Sequence, residues 1–389
     1  MKTIEIKTGL FGKDDVFKIL GVAHATGYPV LLIGPPGTGK TRALLDYSKA
    51  LVHDPKLSPK ENWMLANKSS FILETDEGTR STEVKGRINV KELLINHHYE
   101  ISAPIVDAKF VLINEVDKAS PGLRNSLLGV MNEKVLFNGI EKVKCHWQLF
   151  AGSCNILKIE EDQKPFWDRF VFKQNINRVT KNQLLKYFRQ KKKDKTLKLN
   201  IPTPQEVDQI AAQIPSDKLQ KFLDVAYEKM SDRTITFLPR IIAAVSVVYN
   251  LALGRAMIQT MKLMLGDSES KQLSKLIEPA ELATIRSKIE IVMTLQDYDQ
   301  IKDMIKDVEQ ECIASAKKGV LTKSDVEELT TELNAALNNN PAYTNHEAAD
   351  MGAIYDSDTP QGESDPSADL SQAVSNTVNY GSVDVDVTK

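Results

Sequence analysis

Gly34-Pro35-Pro36-Gly37-Thr38-Gly39-Lys40-Thr41 lies between an apolar run, Val30–Ile33, and a helical pattern that begins at Lys40. Strand, glycine-rich turn and helix in that order make a phosphate-binding loop. The glycines let backbone N–H groups converge on phosphate oxygens, and the helix N-terminus adds the positive end of its dipole. Lys40 can reach the terminal phosphates and the Thr41 hydroxyl can ligate magnesium. The expected cofactors are therefore ATP or ADP with Mg2+. Gly34, Pro35, Pro36, Gly37, Thr38, Gly39, Lys40 and Thr41, with Arg42 next on the helix, form the candidate nucleotide-binding set.

Such a loop needs a second polar site at the end of a neighbouring buried strand, to hold the metal and polarise water. Phe110-Val111-Leu112-Ile113-Asn114-Glu115 is that strand. Glu115 can serve as general base toward an attacking water. Asn114 stands where an aspartate would usually complete the acidic pair. An amide can accept a hydrogen bond from metal-bound water but brings no negative charge, so Thr41 and Asn114 are the candidate metal-side residues and slow hydrolysis is one consequence. Asp117 reads as either a third acid of the site or a surface carboxylate.

Around these motifs the first half of the chain alternates strand-like and helical patterns, as an α/β protein with a mostly parallel sheet does. Expected core strands are Val30–Ile33, Ser70–Glu74, Phe110–Ile113, Gln148–Ala151 and Phe170–Gln174, with helices over Asp14–Ala25, Lys40–Val52 and Leu123–Glu133. Asn138-Gly139 between Val135–Phe137 and Lys144–Trp147 predicts a β-hairpin, and an irregular insertion covers about Gly78 to Pro104. From Lys181 the pattern turns helical without obvious strands: Asn182–Arg189, Pro204–Gln213, Asp217–Met230 and Leu238–Tyr249. More helix follows from Gln259 to Leu337, with apolar steps at Ile289, Ile291, Val292, Ile301, Met304, Ile305 and Val308. After Asn338 the chain is too polar to offset its ordering entropy and is expected to be disordered. The expected division is 1–180 for the α/β domain, 181–258 for a helical lid, 259–337 for C-terminal helices and 338–389 for an acidic tail.

The 389 residues exceed one compact core, while 42% hydrophobic and 26% charged content is ordinary for a soluble protein. The near-neutral formal charge of −2 hides a division, since the tail beyond Asn340 carries nine acids against Lys389 alone. The apolar runs are strand-length, so no membrane span is expected. Alternation of charge and apolarity at the N-terminus argues against a signal peptide, and a cytoplasmic protein follows. Cys145, Cys154 and Cys312 lack metal-ligand spacing, so reduced thiols and no zinc are expected.

Taken together, the phosphate loop, Asn114-Glu115-Val116-Asp117-Lys118-Ala119, the Leu-Leu-x-x-Met-x-Glu core of Asn125–Glu133 and Asp168-Arg169-Phe170 resemble the AAA+ ATPases, most closely the MoxR group in the helix-2-insert branch. The likeness covers about residues 10 to 255. It implies an AAA+ αβα sandwich with a five-stranded parallel sheet, a helical lid and a ring of subunits, a hexamer by family expectation. By the same resemblance Asn155 matches sensor 1, Arg169 the arginine that reaches a neighbouring subunit's γ-phosphate, and Arg233 the sensor 2 arginine of the lid, with Arg240 competing. The insertion and the hairpin match the family's pore-facing hairpins, which makes Lys85, Arg87 and Tyr99 candidates for client contact. MoxR relatives act as chaperone-like remodellers, often with a von Willebrand A domain partner.

Three functions stay open on the sequence. A protein-remodelling ATPase is favoured. A nucleic-acid motor or loader would use the basic run Arg189-Gln190-Lys191-Lys192-Lys193-Asp194-Lys195. A nucleotide-gated scaffold with little turnover would follow from Asn114.

Overall fold

The computed structural model describes residues 1–88, 94–95, 101–138, 141–157, 159–160, 163–181, 195–277, 280–317, 323–344 and 346. Its contacts divide the chain into two compact units, Met1–Leu273 and Ser274–Lys389.

Valine, leucine and isoleucine runs bounded by turns build the heart of the first unit. The strands are β1 (Lys2–Thr8), β2 (Val30–Ile33), β3 (Ser70–Glu74), β4 (Arg87–Ile88), β5 (Ile101–Ser102), β6 (Phe110–Asn114), β7 (Val135–Asn138), β8 (Glu141–Lys144), β9 (Leu149–Cys154), β10 (Phe172–Asn175) and β11 (Lys195–Ile201). Five of them form a sheet in the order β10-β2-β9-β6-β3, all neighbours parallel. Parallel strands need coverage on both faces, and β9 is buried along its whole length. Every expected core strand is present, two with the expected ends and three with ends shifted by one to three residues. The three expected helices appear as Asp14–Thr26, Lys40–Val52 and Pro121–Asn132. This is an AAA+ α/β fold.

Parallel register puts the carboxyl ends of four strands on one edge, where Ile33 pairs with Cys154, Ile113 with Gly152 and Glu74 with Asn114. Ligands of open α/β sheets bind outside such carboxyl ends. A hairpin forms from β7 and β8, with Asn138 opposite Glu141, but its second arm is Glu141–Lys144 and not the expected Lys144–Trp147; Gly139 lies outside the described residues. The insertion is less irregular than expected, since a short helix, Thr82–Lys85, precedes β4 and β5, which pair antiparallel. Tyr99 lies outside the described residues.

One expectation fails after Lys181. The reading of helices without strands missed β11, which pairs antiparallel with β1 from Lys2↔Ile201 to Thr8↔Lys195. Its sequence, KTLKLNI, alternates apolar and polar residues as a half-buried strand should, but it directly follows a lysine-rich run and its partner lies at the other end of the domain. Helix Asp14–Thr26 packs on this pair so closely that a Cβ on Gly21 would lie 3.1 Å from both Ile201 and Val248. Residues 182–194, with the helix expected over Asn182–Arg189, are outside the described set.

Beyond β11 the lid comprises helices Pro204–Ala211, Ser216–Ala226, Asp232–Tyr249 and Leu253–Met264. Thr203 opens the first with a capping box to Glu206, and Ser231 caps the third through the Thr234 N–H. Phe237 stacks on Tyr28 at 4.2 Å, which fastens the lid to the start of β2. Among the described residues no single helix is long and apolar enough to cross a membrane.

In the second unit, helices Ala280–Val292, Tyr298–Lys317 and Lys323–Asn339 share a core of Ile285, Ile289, Val292, Ile301, Val308, Cys312 and Leu329. Ile291, expected among the apolar steps, is instead 44% exposed, because it falls off the stripe set by Ile285, Ile289 and Val292. Order also runs past the expected limit at Asn338. Asn340 is fully buried and donates through Nδ2 to the carbonyls of Val292 (2.5 Å) and Leu295 (2.8 Å). Its Oδ1 accepts from the N–H groups of Ala342 and Tyr343. A polar residue is stable there because each of its groups finds a partner. The residues 347–389 lie outside the described set.

Candidate nucleotide site

Close approach and positive φ together explain the loop's glycines. A Cβ at Gly34 would lie 2.3 Å from the Ile176 carbonyl oxygen, so nothing larger fits without moving backbone. Gly37 and Gly39 adopt φ of 78° and 90°, the left-handed region that favours glycine. Gly39 is also the N-cap of helix Lys40–Val52, which aims that helix's first N–H groups at the loop. Thr38 donates to the Pro35 carbonyl at 2.9 Å, closing the loop on itself.

Lys40 crosses this loop. Its ammonium donates to the carbonyls of Gly34 (2.6 Å) and Pro35 (3.1 Å) and to Asn155 Oδ1 (3.1 Å). Burial lowers its pKa from the usual lysine value, while Cys154, Asp117 and Glu115 oppose that shift. Asn155, which follows β9, is thus brought to the loop. Arg42 lies beside the loop but pairs with Asp46 at 2.9 Å, and Asp46 in turn accepts from the Thr8 hydroxyl at 2.9 Å.

The end of β6 holds a polar network that the sequence did not announce. Asn114 Oδ1 accepts from the Thr41 hydroxyl at 3.3 Å and from the Ser153 hydroxyl, while its Nδ2 donates to Glu74 Oε2 at 2.5 Å. Thr75 donates to the backbone carbonyls of Asn114 (2.8 Å) and Glu115 (2.6 Å). Ser153 and Glu74 are the residues missed. The available signal was strand pairing, because Glu74 ends a strand in register with Asn114.

Glu115 holds φ 53° and ψ 40°, an uncommon conformation for a residue with a Cβ and one that concentrates at functional sites. Its carboxylate pairs with Lys118 at 2.5 Å, and this partner raises the Lys118 pKa. Asp117 turns inward: its Oδ1 is buried without a hydrogen-bond partner among the described residues, and its carbonyl accepts from Arg124 at 2.9 Å. Asp117 is thus half-buried, with one carboxylate oxygen withdrawn from the surface.

Elsewhere in the same unit, Arg233 Nη1 approaches Asp168 Oδ2 at 3.5 Å. Arg169 hydrogen-bonds the Pro165 carbonyl, and burial, reinforced by the nearby Arg233 charge, lowers its pKa. Arg240 instead pairs with Asp208 inside the lid at 3.3 Å. Among the described residues no hydrogen bond or ion pair joins Asp168, Arg169 and Arg233 to Lys40, Thr41, Asn114 and Asn155. The expected site residues therefore fall into two groups.

The oxygens around Thr41, Asn114, Ser153 and Glu74 are hard donors that suit magnesium, which takes few protein ligands and keeps waters and substrate phosphates for the rest. No group of three or more His, Cys, Asp or Glu side chains among the described residues could hold a metal by itself.

Phosphate loop, parallel sheet and lid together define the AAA+ class. The family described as the MoxR domain in the MoxR-vWA-beta-propeller ternary systems matches residues 2–213, more than half of the chain, and this chain belongs to it. Similar proteins include structural protein ORF618 of Acidianus two-tailed virus, 25% identical over 169 residues, which are 43% of this chain and 26% of that protein. An uncharacterized protein of Methanocaldococcus jannaschii is 33% identical over 105 residues, 26% of this chain and 28% of its own. The matched segments thus span about a quarter of the length of these curated relatives. A candidate ATPase of Cytophaga hutchinsonii with a solved crystal structure overlays at a TM-score of 0.48 and 16% identity, covering 66% of this chain and 82% of that one.

Proposed function

We propose that the chain hydrolyses ATP as a subunit of a ring, a hexamer by family expectation, and that it couples this to remodelling of a protein partner. The observation that carries the reading is the division of the site. Lys40, Thr41, Asn114 and Asn155 converge on the phosphate loop, while Arg233 pairs with Asp168, next to Arg169, and among the described residues no hydrogen bond or ion pair joins this group to the loop. A cation that serves catalysis must stand near the charge developing on the transferred phosphoryl group. Arg169 satisfies that requirement at the loop of a neighbouring subunit.

In this reading Lys40 and the loop amides hold the phosphates, and Thr41 and Asn114 hold magnesium. When bound, magnesium neutralises phosphate charge. Asn155 orients the attacking water and Glu115 removes its proton, which requires the Glu115–Lys118 ion pair to open first. Arg233 is the better sensor 2 candidate, because it reaches the Asp168-Arg169 motif whereas Arg240 is engaged inside the lid.

The family's description supports a von Willebrand A protein and a β-propeller protein as partners. Client contact by the insertion, first assigned to Lys85, Arg87 and Tyr99, gains two apolar candidates in the exposed Leu94 and Ile95. The nucleic-acid alternative loses part of its footprint, because Lys195 lies on β11 and pairs with Asp14 at 2.5 Å. The remaining residues of that run, 189–194, lie outside the described set.

Mixing inactive Arg169→Ala subunits with inactive Glu115→Gln subunits tests the shared site. Phosphate release should reappear in mixed oligomers, because some interfaces then join an intact Glu115 to an intact Arg169. No recovery in oligomers shown to be mixed would discard the ring mechanism.

A further inference from the structure

Asn114 leaves the metal side of the site one negative charge short, and a neighbouring carboxylate can make up the deficit. Glu74 ends β3, the strand paired in parallel with β6, and its register partner is Asn114 itself. The amide is oriented by three contacts. Its Oδ1 faces the Thr41 and Ser153 hydroxyls, which leaves Nδ2 toward β3, where Glu74 Oε2 accepts from it at 2.5 Å. With Oδ1 turned to two O–H donors, the outward N–H2 requires an acceptor, and Glu74 provides a charged one. Glu74 is solvent-exposed and has no lysine or arginine partner among the described residues, so none of the cations described there offsets its charge.

We propose that Asn114 and Glu74 act together as a divided acid. The amide contributes the oxygen beside Thr41, and Glu74, one hydrogen bond behind it, contributes the negative charge that favours a divalent cation and its bound water. Glu74 is a positioning residue that acts through Asn114. The proposal rests on the reading of this site as a magnesium–nucleotide site.

A consequence distinguishes the divided acid from a simple loss of charge. An Asn114→Asp change made alone removes the N–H2 donor and sets two carboxylates 2.5 Å apart in the present geometry, a like-charge contact. The same change in a Glu74→Gln background moves the charge to the usual position and restores a donor–acceptor pair with the roles exchanged.

The experiment measures binding of a non-hydrolysable ATP analogue by calorimetry, without divalent metal and across a Mn2+ titration, for the intact chain, Glu74→Gln, Asn114→Asp and the double variant. Thermal unfolding confirms that each is folded. Glu74→Gln should raise the Mn2+ midpoint by roughly tenfold, the lower end of the range for partners that act through a metal ligand. Metal-free affinity should stay constant, and the double variant should return to within about threefold of the intact chain, taking that tenfold loss as the scale. An unchanged midpoint in Glu74→Gln, or a double variant no better than Glu74→Gln, overturns the divided acid. If the intact chain binds no nucleotide under any condition, the parent reading fails instead.

Discussion

The phosphate loop and the strand ends that face it are ordered by different means. The loop is fixed by backbone: a glycine pressed against the Ile176 carbonyl, two glycines at positive φ, and a lysine held by the loop's own carbonyls. The strand ends are fixed by side chains from four elements, with Asn114 joining Thr41, Ser153 and Glu74. Backbone geometry leaves a local motif in the sequence. A side-chain network assembled across a sheet leaves none, since its members are scattered between positions 41 and 153. Gly34 admits no side chain without moving backbone, whereas the divided-acid proposal predicts that the network can exchange parts when charge and hydrogen-bond polarity are kept.

Breaking the loop should have the largest effect. Replacing Lys40 by Ala removes a charged donor to the phosphates, and nucleotide affinity measured by calorimetry should fall by roughly 10- to 150-fold, the scale of a lost hydrogen bond to a charged group. A smaller loss would mean that the loop amides alone hold the nucleotide.

Stability should respond to a third region without changing the comparison. His24, on helix Asp14–Thr26, is held by burial at a pKa of about 4, with Lys2 and Lys134 acting in the same direction, and its Nδ1 meets the Tyr47 hydroxyl at 3.1 Å. The unfolded chain titrates it near the ordinary value of about 6.5. Above that pH both states are neutral and the contribution is whole. As pH falls toward 4 the unfolded state takes a proton that folded His24 resists, and stability drops by up to about 3 kcal/mol. Urea unfolding at pH 7 and pH 4.5 should show a loss smaller by about 2 kcal/mol in a His24→Leu/Tyr47→Phe variant than in the intact chain. Equal losses in the two proteins would mean that His24 does not control this window.

The smallest effect is expected at the strand ends. Ser153→Ala removes one of two hydroxyls on Asn114 Oδ1 and leaves the other, so the Mn2+ midpoint should shift by about fivefold, the equivalent of one neutral hydrogen bond. A shift as large as that of Lys40→Ala would erase the distinction between the two halves of the site.

How much was legible follows the same division. The five core strands carry runs of branched aliphatics between turn residues, and they appear where periodicity put them. β11 was missed because its partner is the N-terminal strand, and pairing at that separation has no local mark. Asn340 was assigned to the tail from the polarity of its surroundings, but its four hydrogen bonds bury it. Asp117 was ambiguous in sequence, because the inward turn after Glu115 depends on a backbone conformation that composition does not encode.

By itself, then, the sequence determined the phosphate loop, the parallel α/β core, Glu115 at a strand end and the resemblance that the family match bears out. These features are written in short-range patterns of glycine, branched aliphatics and charge. Only the tertiary structure decided which groups share a site: Lys40 with Asn155, Asn114 with Glu74, and Arg233 with Asp168. The physical reason is that parallel strand order and register place distant residues within hydrogen-bonding distance, and neither order nor register is fixed by any one segment of the chain.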